Sequence, residues 1–234
     1  MAGKNNINKE KIALQISELW NTLNDEQFKV LLKHLNVRKY KKSEIIYKND
    51  EKTANIWFLV HGKVKIYKDG ISGRNQIIRA IKPMEFFGFR AYFADEDYKT
   101  SAMAIDACTV AYIPMDIFMQ LLKTNYNIGI FFIKYLSVAM GESDERTINL
   151  TQKHIRARLA EALIYLKNSY GLEEDGYTLS IYLCREDLAN LSNMTTSNAI
   201  RTLSAFANEK LIAIDGRKIK IIKGEELLRI SQQG

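Results

Sequence analysis

Arg185-Glu-Asp-Leu-Ala-Asn-Leu191, Ser192-Asn-Met194 and Thr195-Thr-Ser-Asn-Ala-Ile-Arg-Thr-Leu-Ser-Ala-Phe-Ala-Asn208 read in order as a helix, a polar break and a second helix. In the first helix Leu188, Ala189 and Leu191 are the expected inward side chains. Thr195 and Thr196 suit the cap of the second, because a hydroxyl there can accept from backbone N–H groups that the first helical turn leaves unpaired. Ala199, Ile200, Leu203, Phe206 and Ala207 recur at helical spacing and predict the buried stripe. Thr196, Ser197, Asn198 and Arg201 are then left on the opposite face near the N-terminus. A helix that reads DNA presents its side chains to base edges from that place in the major groove. A pair of helices is a weak signal alone. The continuation Leu211-Ile-Ala-Ile214, Asp215-Gly216, Arg217-Lys-Ile-Lys-Ile-Ile222 sharpens it. Asp-Gly between two alternating runs marks a β-hairpin, and this one carries Lys218 and Lys220. Duplex DNA is therefore the expected partner. Arg185, Thr195, Thr196, Ser197, Asn198, Arg201, Lys218 and Lys220 are the candidate contacts.

Charge agrees without deciding. The chain has 234 residues, a formal net charge of +7 and an apolar fraction of 47%, which describes a folded protein with room for one or two cores. Residues 1–152 carry 22 basic and 17 acidic residues, and residues 153–234 carry 12 and 10. The excess is not concentrated on the half that holds the helix pair. Met1-Ala-Gly-Lys-Asn-Asn6 lacks an apolar signal core. The longest apolar stretch, residues 128–138, is broken by Lys134 and too short to cross a bilayer. A cytoplasmic protein with no membrane partner is expected. Cys108 and Cys184, the two cysteines, have no neighbour at metal-ligand spacing, so no metal site is expected and both read as small buried side chains.

Upstream, Ile12, Ile16, Leu19 and Trp20 form one helical stripe, and Asn24-Asp-Glu-Gln27 resembles a capping box ahead of Phe28, Leu31 and Leu32. From Val37 the apolar period becomes two. Short strands are predicted around residues 44–47, 56–60, 63–67, 76–81, 100–104 and 109–113. Asn49-Asp50, Gly62, Asp69-Gly70, Gly73, Pro83, Gly88 and Asp106 punctuate them. Even spacing of short strands predicts an antiparallel β-barrel or jelly roll. No glycine-rich loop that opens a helix and cradles phosphate occurs.

After Pro114 the pattern turns helical, with a long helix from about Tyr126 to Leu150. Ile133, Leu136, Met140, Ser143, Thr147 and Leu150 recur at spacing 3-4-3-4-3, as on a helix packed against a partner helix. Packing on the chain's own barrel is the plainer alternative, but Phe131, Phe132, Tyr135 and Val138 supply further apolar surface for that. The six residues are the candidate dimerisation stripe. The reading is α+β: residues 1–125 a β-barrel or jelly-roll domain with N-terminal helices, 126–152 a dimerisation helix, and 153–234 a winged helix-turn-helix.

This order of parts resembles the CRP/FNR family of bacterial transcriptional regulators over nearly the whole chain. The pieces that carry the resemblance are Phe58-Leu-Val-His-Gly62-Lys-Val-Lys-Ile66, Pro83-Met-Glu-Phe-Phe-Gly88, Ser101-Ala102, Ile155-Arg-Ala-Arg-Leu-Ala160 and the stretch from Arg185 to Leu211. It implies a homodimer that binds a near-palindromic promoter site and contacts RNA polymerase. It also implies an effector site at Gly88, Phe89, Arg90, Ala91, Thr100 and Ser101.

The departures are informative. Cyclic-nucleotide-binding relatives have Glu after the glycine matching Gly88 and Arg before the serine matching Ser101; here those places hold Phe89 and Thr100. Loss of the one fixed cation facing a buried phosphate leaves the anion poorly compensated, so cAMP is disfavoured. Arg90 and Lys99 lie one position away and are either a site for another anion or solvated charges. No cysteine precedes Cys108, which disfavours an iron–sulfur cluster. His34, His61 and His154 lie in separate regions and disfavour haem, with a single axial ligand left open. The effector is unassigned. In the second helix Thr196 and Ser197 replace the family's Arg and Glu, and Arg201 matches a base-contacting Arg, suited to a bidentate contact with guanine. Ser197 and Asn198 suit adenine, phosphate or simple capping. A barrel that only dimerises is the alternative. An enzyme is disfavoured, because no paired-carboxylate, Ser-His-Asp or metal-ligand set is visible.

Overall fold

The computed structural model describes residues 8–21, 23–70 and 75–233. Gly73 and residues 1–6, invoked above, lie outside them. The chain divides into two compact units, one of Met1–Lys68 and Arg79–Met140, the other of Asp69–Ile78 and Gly141–Gly234.

The first unit opens with α1 (Lys9–Leu19) and α2 (Asp25–His34). The capping box forms: the Asn24 side chain accepts from the Gln27 N–H while the Gln27 side chain accepts from that of Asn24. The strands follow as β1 (Asn36–Tyr40), β2 (Ile45–Tyr47), β3 (Asn55–His61), β4 (Val64–Asp69), β5 (Asn75–Ile81) and β6 (Phe86–Phe87). A short α3 (Arg90–Phe93) precedes β7 (Ser101–Ala104) and β8 (Cys108–Pro114), then α4 (Met115–Thr124) and α5 (Tyr126–Gln152). The strands form two four-stranded sheets, ordered β1-β8-β3-β6 and β2-β7-β4-β5. The architecture is the expected antiparallel jelly roll, its two sheets not closed into a barrel. Strand β3 explains the arrangement. Its run Ile56-Trp-Phe-Leu59 is buried throughout, as expected of a strand covered on both faces. Ile56 and Phe58 join Trp20, Phe86, Phe118 and Phe132 under the helices. Trp57 and Leu59 face Tyr47, Ile66, Tyr98 and Val110 between the sheets.

Helix α5 continues from the first unit into the second without a break, and the division falls between Met140 and Gly141. The second unit continues with α6 (Ile155–Tyr170), α7 (Arg185–Leu191), α8 (Thr196–Asn208), β9 (Ile212–Asp215), β10 (Lys218–Ile221) and α9 (Gly224–Gln232). Helix α6 stops at Gly171, which takes φ +75° and donates its N–H to the Lys167 carbonyl. Helix α9, absent from the sequence reading, starts with Glu225 and Glu226 and packs on α6 with Leu227 fully buried. Acids in a first turn suit the positive end of the helix dipole.

Candidate functional site

The helix pair is set by local capping. Cys184 caps α7, its Sγ accepting from the Asp187 N–H at 3.4 Å and donating to Asp187 Oδ2 at 3.2 Å. Leu188, Ala189 and Leu191 are buried as expected. The turn needs a left-handed residue, which Asn193 supplies at φ +48°; asparagine tolerates that region better than most side chains. Thr195 Oγ1 accepts from the Asn198 N–H at 3.2 Å, so Thr195 rather than Thr196 is the cap of α8. Helix α8 buries Ala199, Thr202, Leu203 and Phe206. The expected inward stripe is corrected at Ile200, which is 47% exposed, while Thr202 points inward. At 100° per residue, position 200 falls with 197 and 204 on the outer face. Thr195, Thr196, Ser197, Ile200, Arg201 and Ser204 are all exposed. Arg201 Nη2 donates to Asn198 Oδ1 at 2.5 Å.

The hairpin forms with Asp215 opposite Lys218 and Gly216 at φ +56°. A third segment joins it. Thr178 pairs antiparallel with Lys220, and the Leu179 N–H donates to the Ile219 carbonyl at 2.9 Å. Asp175 ties this edge down. Its carboxylate accepts from the Thr178 hydroxyl and the Thr178 and Tyr177 N–H groups and pairs with Lys220 Nζ at 3.2 Å. Those bonds, the Thr178 hydroxyl first, hold its pKa well below the usual carboxylate range. Lys218 Nζ sits over the Tyr182 ring. Arg185 Nη2 donates to the Gly216 carbonyl at 2.8 Å, which braces the wing turn against α7. The structure therefore gathers Thr195, Thr196, Ser197, Asn198 and Arg201 at one end of α8. Lys218 and Lys220 lie on the wing, and Arg185, the first residue of α7, reaches the wing turn.

Two arginines that sequence reasoning missed fix the turn between α7 and α8. Arg146 of α5 donates to the carbonyls of Ile78, Ile77 and Leu191 at 2.5, 2.6 and 3.1 Å. Arg158 of α6 donates to the Asn193 carbonyl at 3.0 Å. Neither carries a local signal, since each partner is distant in sequence.

The six effector positions come together around packed aromatic rings. Gly88 has φ +77°, and a Cβ built there would stand 2.4 Å from Trp57 Cδ1. Phe89 is 3% exposed, edge-on to Phe132 at 4.9 Å between centroids. Arg90 faces outward and pairs with Glu96 at 2.6 Å; Ala91 is buried. The Thr100 side chain hydrogen-bonds Tyr47. Ser101 Oγ, buried, accepts from the Asn49 N–H at 2.9 Å. Tyr47 stacks on Tyr98 at 3.9 Å, and the Tyr98 hydroxyl accepts from Trp57 Nε1 at 3.3 Å. Burial pushes the Tyr98 hydroxyl up to about 12. These residues do not fit a cyclic nucleotide. The one cation of the set, Arg90, is exposed and paired outward with Glu96, which leaves no fixed positive charge among the six for a cyclic phosphate.

Along α5, Ile133 and Met140 are 62% and 67% exposed. Leu136, Ser143 and Thr147 are exposed too, and Leu150 is half-buried. Among the described residues no group of three His, Cys, Asp or Glu is placed to hold a metal, and no helix is long and apolar enough to cross a membrane. Cys108 is buried, its thiol pushed up to about 12 by desolvation.

Known proteins share both parts. Residues 37–125 match the family model of a cyclic nucleotide-binding domain, and residues 157–230 that of a Crp-like helix-turn-helix domain. The probable transcriptional regulator flp of Lacticaseibacillus casei is 24% identical over 209 residues, 89% of this chain and 93% of that protein. The CRP-like cAMP-activated global transcriptional regulator of Mycobacterium tuberculosis is 21% identical over 200 residues, 85% of this chain and 89% of that protein. The solved structure of FixK2 from Bradyrhizobium japonicum shares the fold with a TM-score of 0.76 at 19% identity, over 84% of this chain and 96% of that one.

Proposed function

The chain belongs to the CRP/FNR family of transcriptional regulators, a DNA-binding protein and not an enzyme, and from that premise we propose how it acts. Two copies pair along the α5 stripe Ile133, Leu136, Met140, Ser143, Thr147 and Leu150. The dimer sets two α8 helices into successive major grooves of a near-palindromic promoter site and presents the bound protein to RNA polymerase in the cytoplasm. An effector other than cAMP, acting at the jelly roll around Gly88, Phe89, Arg90, Ala91, Thr100 and Ser101, biases the DNA-competent state by binding it more tightly.

One observation carries the reading: the N-terminal end of α8 is exposed, polar and rigidly capped, with Ser197, Asn198 and Arg201 together on it. Arg201 swings from Asn198 to make two bonds to a guanine edge, and Ser197 and Asn198 take adenine or phosphate. The test is competition between a duplex enriched from a randomised pool and unrelated DNA. Arg201→Ala loses the preference, about 1–3 kcal/mol per guanine contact, and keeps salt-sensitive binding to any duplex. An unchanged preference contradicts the assignment.

The packing of Phe89 and the rings around Gly88 favours a second reading, in which the jelly roll serves only to dimerise. Protein denatured, freed of small molecules and refolded separates the two. Full affinity for the enriched duplex supports the scaffold reading. Affinity restored only by the small-molecule fraction of a cell extract supports the effector reading.

A further inference from the structure

We propose that Ile200 reads the 5-methyl group of a thymine in each half of the target site. The inference rests on the reading of α8 as the recognition helix and adds a specificity residue to it. Ala199, Leu203 and Phe206 of the same helix are at most 1% exposed, so the fold buries its large apolar side chains there and leaves this one out. Its neighbours on the outer face are Ser197 and Ser204, three and four positions away, and the adjacent Arg201, all exposed. Ser204 Oγ donates to the Ile200 carbonyl at 3.0 Å, and Arg201 is held by Asn198. Ile200 thus stands as an exposed apolar side chain among polar ones.

The major groove gives such a side chain one kind of target. Adenine, guanine and cytosine show polar groups there, and thymine adds a methyl group. A β-branched side chain on a helix is restricted to few rotamers, so Ile200 presents its methyls without much ordering at the moment of contact. Covering one methyl group changes affinity about fourfold, the equivalent of about 0.8 kcal/mol.

The full chain is tested against the duplex enriched from a randomised pool, with each thymine replaced in turn by deoxyuridine, which lacks only the methyl group. Wild type loses about fourfold per half-site at one thymine position, and Ile200→Ala shows no loss there while binding the parent duplex more weakly. Ile200→Val retains part of the methyl dependence. An exposed helix position accepts alanine readily, and an unchanged thermal midpoint confirms that each variant is folded. An enriched duplex on which no deoxyuridine weakens wild type, or on which the penalty persists in Ile200→Ala, overturns the role of Ile200 and leaves the recognition helix standing. Failure to enrich any duplex overturns the recognition-helix reading and this proposal with it.

Discussion

Trp57 Cδ1 occupies the place where a side chain on residue 88 would begin, 2.4 Å from the Cβ that Gly88 lacks. The glycine is required twice, by the close approach of the indole and by its left-handed φ of +77°. Gly88→Ala must shift Trp57, which is locked among Tyr47, Phe87 and Tyr112. The expected cost is about 2–4 kcal/mol, from overpacking and backbone strain together. A fall in the thermal midpoint, read by tryptophan fluorescence, checks it.

Thr195 holds the start of α8 through one hydroxyl. Thr195→Ala leaves the Asn198 N–H unpaired and costs about 1 kcal/mol, while Thr195→Ser keeps the acceptor and most of the stability. Urea denaturation of the two variants distinguishes the cap from a simple loss of packing.

Asp175 gives the wing edge a pH dependence. Its carboxyl is held below its ordinary value, by the Thr178 hydroxyl first, so its contribution is present above the unfolded value of about 3.9 and is lost as pH falls through the folded one. Acidification frees Tyr177 and Thr178 before the core of α6. Asp175→Asn loses that dependence, because it no longer titrates. Amide exchange at Thr178, followed against pH, reads both.

Lys218 and Lys220 stand one residue apart on either side of Ile219 but differ in commitment. Lys220 pairs with Asp175, and Lys218 lies over Tyr182. On the proposed function Lys218 meets a backbone phosphate. Lys218→Met reduces the slope of log affinity against log salt by about 1 per chain without changing base preference. Titrations of binding at several salt concentrations give the slope.

Local chemistry made the helix pair, the hairpin and the start of α2 legible. Asp215-Gly216, the Thr195 cap and the Asn24–Gln27 box act over a few residues, and each forms as its sequence predicts. Ile200 was misread because helical spacing alone admits it to either edge of an apolar stripe; its side was decided by Thr202, whose buried position turned the stripe. Strand β6 is two residues long, too short for any periodicity. The anchors Arg146 and Arg158 reach carbonyls far along the chain, and carbonyls carry no sequence signature. The positions proposed for an effector rest on resemblance alone, and how Phe89 and Trp57 pack around Gly88 depends on contacts across strands.

The central claim is that two copies of this chain read two related half-sites through α8. Native mass spectrometry of the full chain with its enriched duplex, paired with footprinting, tests it most directly. The account predicts two 26.9 kDa chains per duplex and two protected half-sites about 34–36 Å apart, one turn of the double helix. One chain per duplex, or protection without preference over unrelated DNA, would contradict it.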